Sequence, residues 1–156
     1  MRTIVIAVGH RMPAWVQSGF EEYARRLPHA ARLELIEVKP EKRSSSVSLA
    51  RAMALEEARI EAVAPAGCYR IVLDERGAQV TSAGFAHKLQ EWRESGRDIA
   101  MIVGGADGLT ARFRRSADAL LALSRMTLPH GLVRVLIAEQ LYRAFSIMHN
   151  HPYHRE

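Results

Sequence analysis

Ile99-Ala100-Met101-Ile102-Val103-Gly104-Gly105-Ala106-Asp107-Gly108 joins five consecutive apolar residues to a turn holding three glycines. An unbroken apolar run, rather than an in-and-out alternation, is what a strand covered on both faces requires. The glycines let the backbone adopt positive φ or pass close to a ligand. Together they predict a parallel strand followed by a ligand loop, because open α/β sheets bind ligands beyond the carboxyl ends of their strands. The loop is not a dinucleotide fingerprint. Its spacing is G-G-x-x-G rather than G-x-G-x-x-G, it follows the fourth strand, and no acidic residue stands about 20 positions on.

Similar short runs lie on either side: Thr3 to Val8, Leu33 to Val38, Tyr69 to Asp74 and Leu120 to Leu123. Helical periodicity fills the gaps. Trp15 to Leu27 places Val16, Phe20, Tyr23 and Leu27 on one stripe, and Val47 to Val63 does so with Leu49, Met53, Ile60 and Val63, Glu56 being a polar break. Pro28 and Pro65 close these helices. Ser82 to Ser95 follows, with Ser82 as N-cap, Phe85, Leu89 and Trp92 as its apolar face and Gly96 as its stop. A shorter helix opens at Thr110. The order βαβαβαβαβα predicts one α/β domain over residues 1–156, with a mostly parallel sheet and flanking helices. Glu41 to Ser48 is polar enough for a mobile loop. The last helix, about Gly131 to His149, has almost no polar face and must be covered nearly all round, which a second subunit would do. Glu139 and Arg143, spaced i,i+4, form either a surface pair or a contact across a dimer seam.

Composition excludes several classes. The 156 residues are 48% hydrophobic and 25% charged, with no apolar run near the roughly 20 residues of a membrane span. Met1 to Gly9 is too short an apolar run for a signal peptide and reads as a first strand. The lone Cys68 forms no internal disulfide and fits a reducing cytoplasm, as a passive buried thiol. A net charge of +5, carried by nineteen arginines and three lysines, leans toward RNA or DNA, since the guanidinium fork suits phosphate and stacked bases. A G/C-rich genome inflates arginine in the same way. Arg11, Lys42, Arg43, Arg112, Arg114 and Arg115 are candidates for RNA backbone contact. No G-x-x-x-x-G-K-[ST] occurs, so a phosphotransferase of that type is disfavoured.

Two further loops follow strand ends. Leu73-Asp74-Glu75-Arg76-Gly77 runs into a turn. Ser124-Arg125-Met126-Thr127-Leu128-Pro129-His130-Gly131 leads into the last helix, with Pro129 and Gly131 making a corner and Met126 and Leu128 able to wall a purine. The chain ends in Asn150-His151-Pro152-Tyr153-His154-Arg155-Glu156, an unusually functional composition for a terminus. His149, His151 and His154 are no metal site: no cysteine or nearby carboxylate completes a tetrahedral set, and Pro152 breaks the helix that would align them. His151 reads as a cap on the chain end and His130 as support for the Pro129 corner.

The set of motifs resembles a known family. Pro13-Ala14-Trp15-Val16, Glu34-Leu35-Ile36-Glu37, Leu73-Asp74, Gly96-Arg97-Asp98, Val103-Gly104-Gly105 with Gly108-Leu109, and Thr127-Leu128-Pro129-His130 look like the bacterial ribosomal RNA large-subunit methyltransferase H family. So do Leu132-Val133-Arg134-Val135, Glu139-Gln140-Leu141-Tyr142-Arg143-Ala144 and Asn150 to Glu156. The resemblance spans essentially the whole chain. It implies a SPOUT-type methyltransferase with a C-terminal trefoil knot, a topology that periodicity does not reveal, working as a homodimer in the cytoplasm. It further implies transfer of a methyl group from S-adenosylmethionine to N3 of a pseudouridine, position 1915 in helix 69 of the 23S rRNA of the assembled 70S ribosome. On the same resemblance Leu73, Gly104, Leu123, Ser124, Arg125, Met126, Thr127 and Leu128 line the cofactor site, with Arg125 and Met126 acting through their backbones. The single glycine in Gly9-His10-Arg11-Met12-Pro13 disfavours the commoner Rossmann-type methyltransferase.

Imide N3 holds its proton at neutral pH, so the reaction needs a base or a cation beside the developing anion. His154 is the expected proton acceptor, Arg155 the cation and Tyr153 a ring packed on the base, over the cofactor pocket of the same chain or of its neighbour. The alternative is a non-catalytic basic RNA- or ribosome-binding α/β module, which would bind no S-adenosylmethionine.

Overall fold

In the computed structural model, which describes residues 1–154, five parallel strands form one sheet in the order β2-β1-β4-β3-β5. They are β1 (Thr3–Val8), β2 (Leu33–Val38), β3 (Tyr69–Gln79), β4 (Ile99–Val103) and β5 (Ala119–Ala122). The helices are α1 (Ala14–Ala24), α2 (Leu49–Val63), α3 (Ser82–Glu94), α4 (Ala111–Ser116) and α5 (His130–Met148). Alternate strand residues feed two cores. Val5, Ala7, Ile71, Ile99, Met101 and Leu121 pack beneath α1, α3 and α5, while Ile4, Ile6, Val72, Ala100 and Ile102 face Ile60 of α2 and Phe113 of α4. The continuous apolar runs expected of the strands follow from this three-layer arrangement.

Three local expectations change. The Asp74 to Gly77 turn is a bulge inside β3: Leu73 and Ala78 both pair with Leu121, so the residues between them loop out and the strand resumes. The turn chemistry is real, since the Arg76 amide donates to Asp74 Oδ1 at 2.8 Å, but pairing recaptures the chain beyond it. In α2 the buried stripe is Ala52, Glu56 and Ile60, whereas Leu49 and Val63 are exposed. Glu56 faces inward because its charge is matched there. Thr81, not Ser82, caps α3 by accepting from the Gly84 amide at 3.0 Å, which leaves the Ser82 hydroxyl free to donate to Gln140 Oε1.

Helix α1 ends at Ala24, before Pro28 opens a short 3-10 turn, His29–Ala31. Helix α5 lies between α1 and α3 on one sheet face, and none of its residues is exposed. Much of the cover expected from a second subunit therefore comes from the chain's own neighbouring helices. The Glu41 to Ser48 loop is likewise fastened rather than loose, by Arg43 to Glu56 and by Arg59 to Glu41.

Candidate functional site

A cavity of about 750 Å³ opens at the carboxyl ends of β3, β4 and β5. Each wall comes from a segment that leaves a strand. The β3 bulge supplies Leu73, Asp74, Glu75 and Arg76; the loop after β4 supplies Gly104 to Gly108; and the segment after β5 supplies Leu123, Ser124, Met126, Thr127 and Leu128, ending in Pro129, His130 and Val133 of α5. The three strand-end loops singled out by sequence thus meet in one place. Of the eight residues expected to line it, seven do, and Arg125 is exposed beside it. Met126 is 75% exposed, but its amide donates to Ser124 Oγ at 2.9 Å, so its backbone is the ordered part.

Backbone demands shape these walls. At Gly104 an added Cβ would lie 3.0 Å from the Gly108 carbonyl carbon and 3.0 Å from Leu109 Cγ. Gly108, at φ +72, closes a turn by donating its amide to Gly105 O at 3.0 Å. Gly77 is more constrained still: its Cβ would sit 2.5 Å from the Leu121 carbonyl carbon.

Three carboxylates, Asp74, Glu75 and Asp107, line the cavity. Thr127 Oγ1 donates to Glu75 Oε2 at 3.3 Å, tying the post-β5 segment to the bulge. Arg114 approaches Asp74 from α4 and donates to Leu109 O, so this candidate RNA-contact arginine is engaged in holding the site. Arg43 is similarly occupied, while Arg11, Lys42, Arg112 and Arg115 are exposed. At the start of α5, burial and then the neighbouring Arg134 guanidinium push the His130 imidazole below the ordinary histidine range, and its Nδ1 is buried without a partner. Arg134, 1% exposed, donates to Glu37 Oε2 at 2.7 Å and to Gly9 O at 3.0 Å, joining α5 to the ends of β2 and β1. The sequence marks His130 only as support for the Pro129 corner and Arg134 only as part of a motif, because the fold alone brings them against Gly9.

The tail lies elsewhere on the chain. Asn150, at φ 53, donates its amide to Ile147 O, and the His151 amide donates to Ser146 O at 2.8 Å. This left-handed cap turns the chain back along α5. His151 thus serves as the cap expected of it, through its backbone. Tyr153 packs against Tyr142 with the rings tilted and their centroids 4.6 Å apart, and donates its hydroxyl to Glu139 Oε1 at 3.0 Å, the atom that also accepts from Arg143. The Glu139–Arg143 pair is therefore an intrachain anchor for the tail. His154 Nδ1 is buried and unpartnered. Arg155 lies outside the described residues. No described tail residue lines the cavity, and Glu139, where Tyr153 docks, is about 14 Å along the helix from His130.

Comparison with known proteins agrees with this arrangement. The family model described as predicted SPOUT methyltransferase matches residues 1–154. The chain is 57% identical over 155 residues, 99% of both chains, to the ribosomal RNA large subunit methyltransferase H of Janthinobacterium sp. (strain Marseille). It is 54% identical, over the same share of each, to the protein of that name from Nitrosospira multiformis. Among solved structures, a probable methyltransferase from Bordetella pertussis superposes with a TM-score of 0.54 at 17% identity, covering 92% of this chain and 95% of that one, which speaks for the fold. By sequence over its whole described length, the chain belongs to the SPOUT methyltransferases and, within them, to the ribosomal RNA large subunit methyltransferase H family.

Proposed function

We propose that this chain transfers the methyl group of S-adenosylmethionine to N3 of the pseudouridine at position 1915, in helix 69 of 23S rRNA. It does so as a knotted homodimer acting on the assembled 70S ribosome in the cytoplasm. The observation that carries this reading is the cavity at the ends of β3, β4 and β5, in a chain with full-length relatives named for large-subunit rRNA methylation. Among the described residues no helix is long and apolar enough to cross a membrane.

The residues fit the cofactor. The cavity is large enough for a nucleoside carrying an amino-acid arm. Glycine backbone at 104, 105 and 108 allows close approach, and the carboxylates of Asp74, Glu75 and Asp107 suit a ligand bearing sulfonium and ammonium charges. When bound, the cofactor supplies an electrophilic methyl group, so the protein's task is to orient the acceptor and manage one proton. Leu73, Gly104, Leu123, Ser124, Thr127 and Leu128 hold the cofactor, with the backbones of Arg125 and Met126. His154 accepts the N3 proton, and Arg155 steadies the anion. Tyr153 anchors the tail and with it the place where the base packs. Because a chain's tail docks on its own α5 away from its own cavity, the tail serves the cavity of the second subunit.

Calorimetric titration with S-adenosylmethionine tests the cofactor, and no binding would sink the enzymatic reading in favour of a passive RNA-binding module. With ribosomes lacking the modification and saturating cofactor, His154→Ala should lower turnover by about a hundredfold or more. Near-unchanged turnover excludes His154 as the proton acceptor.

A further inference from the structure

The turn that walls the cavity between β4 and α4 rests on a buried carboxylate. Glu56, in the second turn of α2, is 1% exposed. A Cβ on Gly105 would lie 3.3 and 3.4 Å from its two oxygens, so the glycine turn passes directly over it. Glu56 accepts from the Glu41 amide at 3.0 Å and from two Arg43 nitrogens, Nη1 at 3.1 Å and Nη2 at 3.2 Å. The third Arg43 nitrogen, Nε, donates to Asp107 Oδ2 at 2.8 Å. Asp107 lies at the tip of the turn whose ends, Gly105 and Gly108, are joined by a backbone hydrogen bond. One residue along α2, Glu57 accepts from the Thr110 amide at 2.6 Å and from Thr110 Oγ1 at 3.1 Å. Helix α2 thus holds the turn at its tip, through Arg43, and at its exit, through Glu57.

The chemistry of this bridge is specific to arginine. A planar guanidinium spends one edge on the buried carboxylate and still has Nε for a second acid, whereas an ammonium reaches both only as a point charge. Burial of Glu56 without that cation would leave an uncompensated charge, which is strongly unfavourable. Neither Arg43 nor Glu56 lines the cavity, so their effect on it runs through Asp107 and the turn.

We propose that Arg43, seated on Glu56, is a positioning residue that holds the Gly105 to Gly108 turn in its ligand-ready form by gripping Asp107. The loop expected to be mobile, residues 41 to 48, is therefore part of the scaffold of the cavity wall. The role in cofactor binding rests on the function proposed above; the role in ordering the turn does not.

The test pairs two readouts in the same variants: amide hydrogen exchange over residues 105–109, which needs no ligand, and S-adenosylmethionine affinity with KM and kcat. Arg43→Ala alone strands a buried charge and endangers folding, so the double variant Arg43→Gln/Glu56→Gln removes the bridge while keeping that site neutral. Exchange in the turn and the cofactor Kd should each rise about tenfold, the scale of one charge-assisted hydrogen bond, with KM moving more than kcat. Arg43→Lys should recover part of the loss. Arg59→Ala, which cuts the same loop's ties at Lys39 and Glu41 instead, should leave exchange in the turn unchanged. Wild-type exchange in the double variant, or an equal effect from Arg59→Ala, overturns the proposal. If the wild-type chain binds no S-adenosylmethionine, the enzymatic reading fails and the exchange data alone decide whether Arg43 orders the turn.

Discussion

Tyr153 shows how a single hydroxyl fixes the geometry of the tail. Burial first, then its hydrogen bond to Glu139, pushes the phenol up to about 12. It therefore remains a donor throughout the physiological range, the form that its bond to Glu139 requires. The folded value lies above the ordinary tyrosine value of about 10, so the stabilisation is complete below that pH and is lost as pH rises through 12. We expect tyrosinate absorbance to show one phenol titrating late, with amide protection over residues 151–154 disappearing in the same window and both features absent from Tyr153→Phe. Protection lost near pH 10 in the wild-type chain would overturn the docking. The Glu139–Arg143 spacing was countable in sequence, but its use was not, because the hydroxyl that completes it arrives through a cap set by Asn150 in the left-handed region.

His130 carries the opposite sign. Its neutral form is favoured in the folded chain, so the contribution it makes is present above the ordinary histidine value and is lost as pH falls below it. The Arg134 side chain behind it is immobilised between Glu37 and Gly9 and sets the charge that the imidazole meets.

Among the elements, β3 departs furthest from its sequence pattern. Asp74-Glu75-Arg76-Gly77 carries ordinary turn residues, and nothing local says that the strand resumes and pairs again with Leu121. That second pairing depends on β5 lying alongside, a contact between segments more than forty residues apart. Gly77 is the visible trace of it. Gly77→Ala should cost about 3 kcal/mol or more, because the new methyl group meets rigid backbone rather than a side chain that can move. Chemical denaturation checks this, and a loss below about 1 kcal/mol would show that β5 can yield. Apolar periodicity marked all five strands and the four longer helices among the described residues, but not the 3-10 turn at His29–Ala31 or the second half of β3. The same rule failed in α2, where it counted Glu56 as a break. Arg43 and a backbone amide offset the cost of burying this carboxylate, and these matching groups lie outside the helix, where its periodicity cannot register them.

At the scale of the whole molecule, the cavity lies at the start of α5 and the tail docks near its other end, so among the described residues the two do not meet within one subunit. A chain truncated before Pro152 should fold but transfer no methyl groups, as should a chain with its cavity blocked by Gly104→Val. On the proposed dimer, in which the tail of one subunit serves the cavity of the other, mixing the two as heterodimers should recover activity on ribosomes. Mixtures as inactive as the parents, with heterodimers confirmed by sedimentation, would show that each subunit needs both parts. The composition lean toward nucleic acid and the meeting of the three strand-end loops were legible in the sequence. The separation of the tail from them was not, because it depends on which way the chain turns after α5.

Helix α5 begins in the cavity wall at His130 and ends where the tail leaves it, with no loop to absorb a change of length. One residue inserted within it would advance everything beyond by about 1.5 Å and turn it by about 100°. Placed before Glu139, the insertion would swing Glu139, Tyr142 and the tail docked on them together about the helix axis relative to the cavity wall. The helix is thus a phased shaft: its 19 residues set the angle between the two halves of the machinery as well as their spacing. Length variation in this protein should accordingly be confined to loops that lie off that shaft.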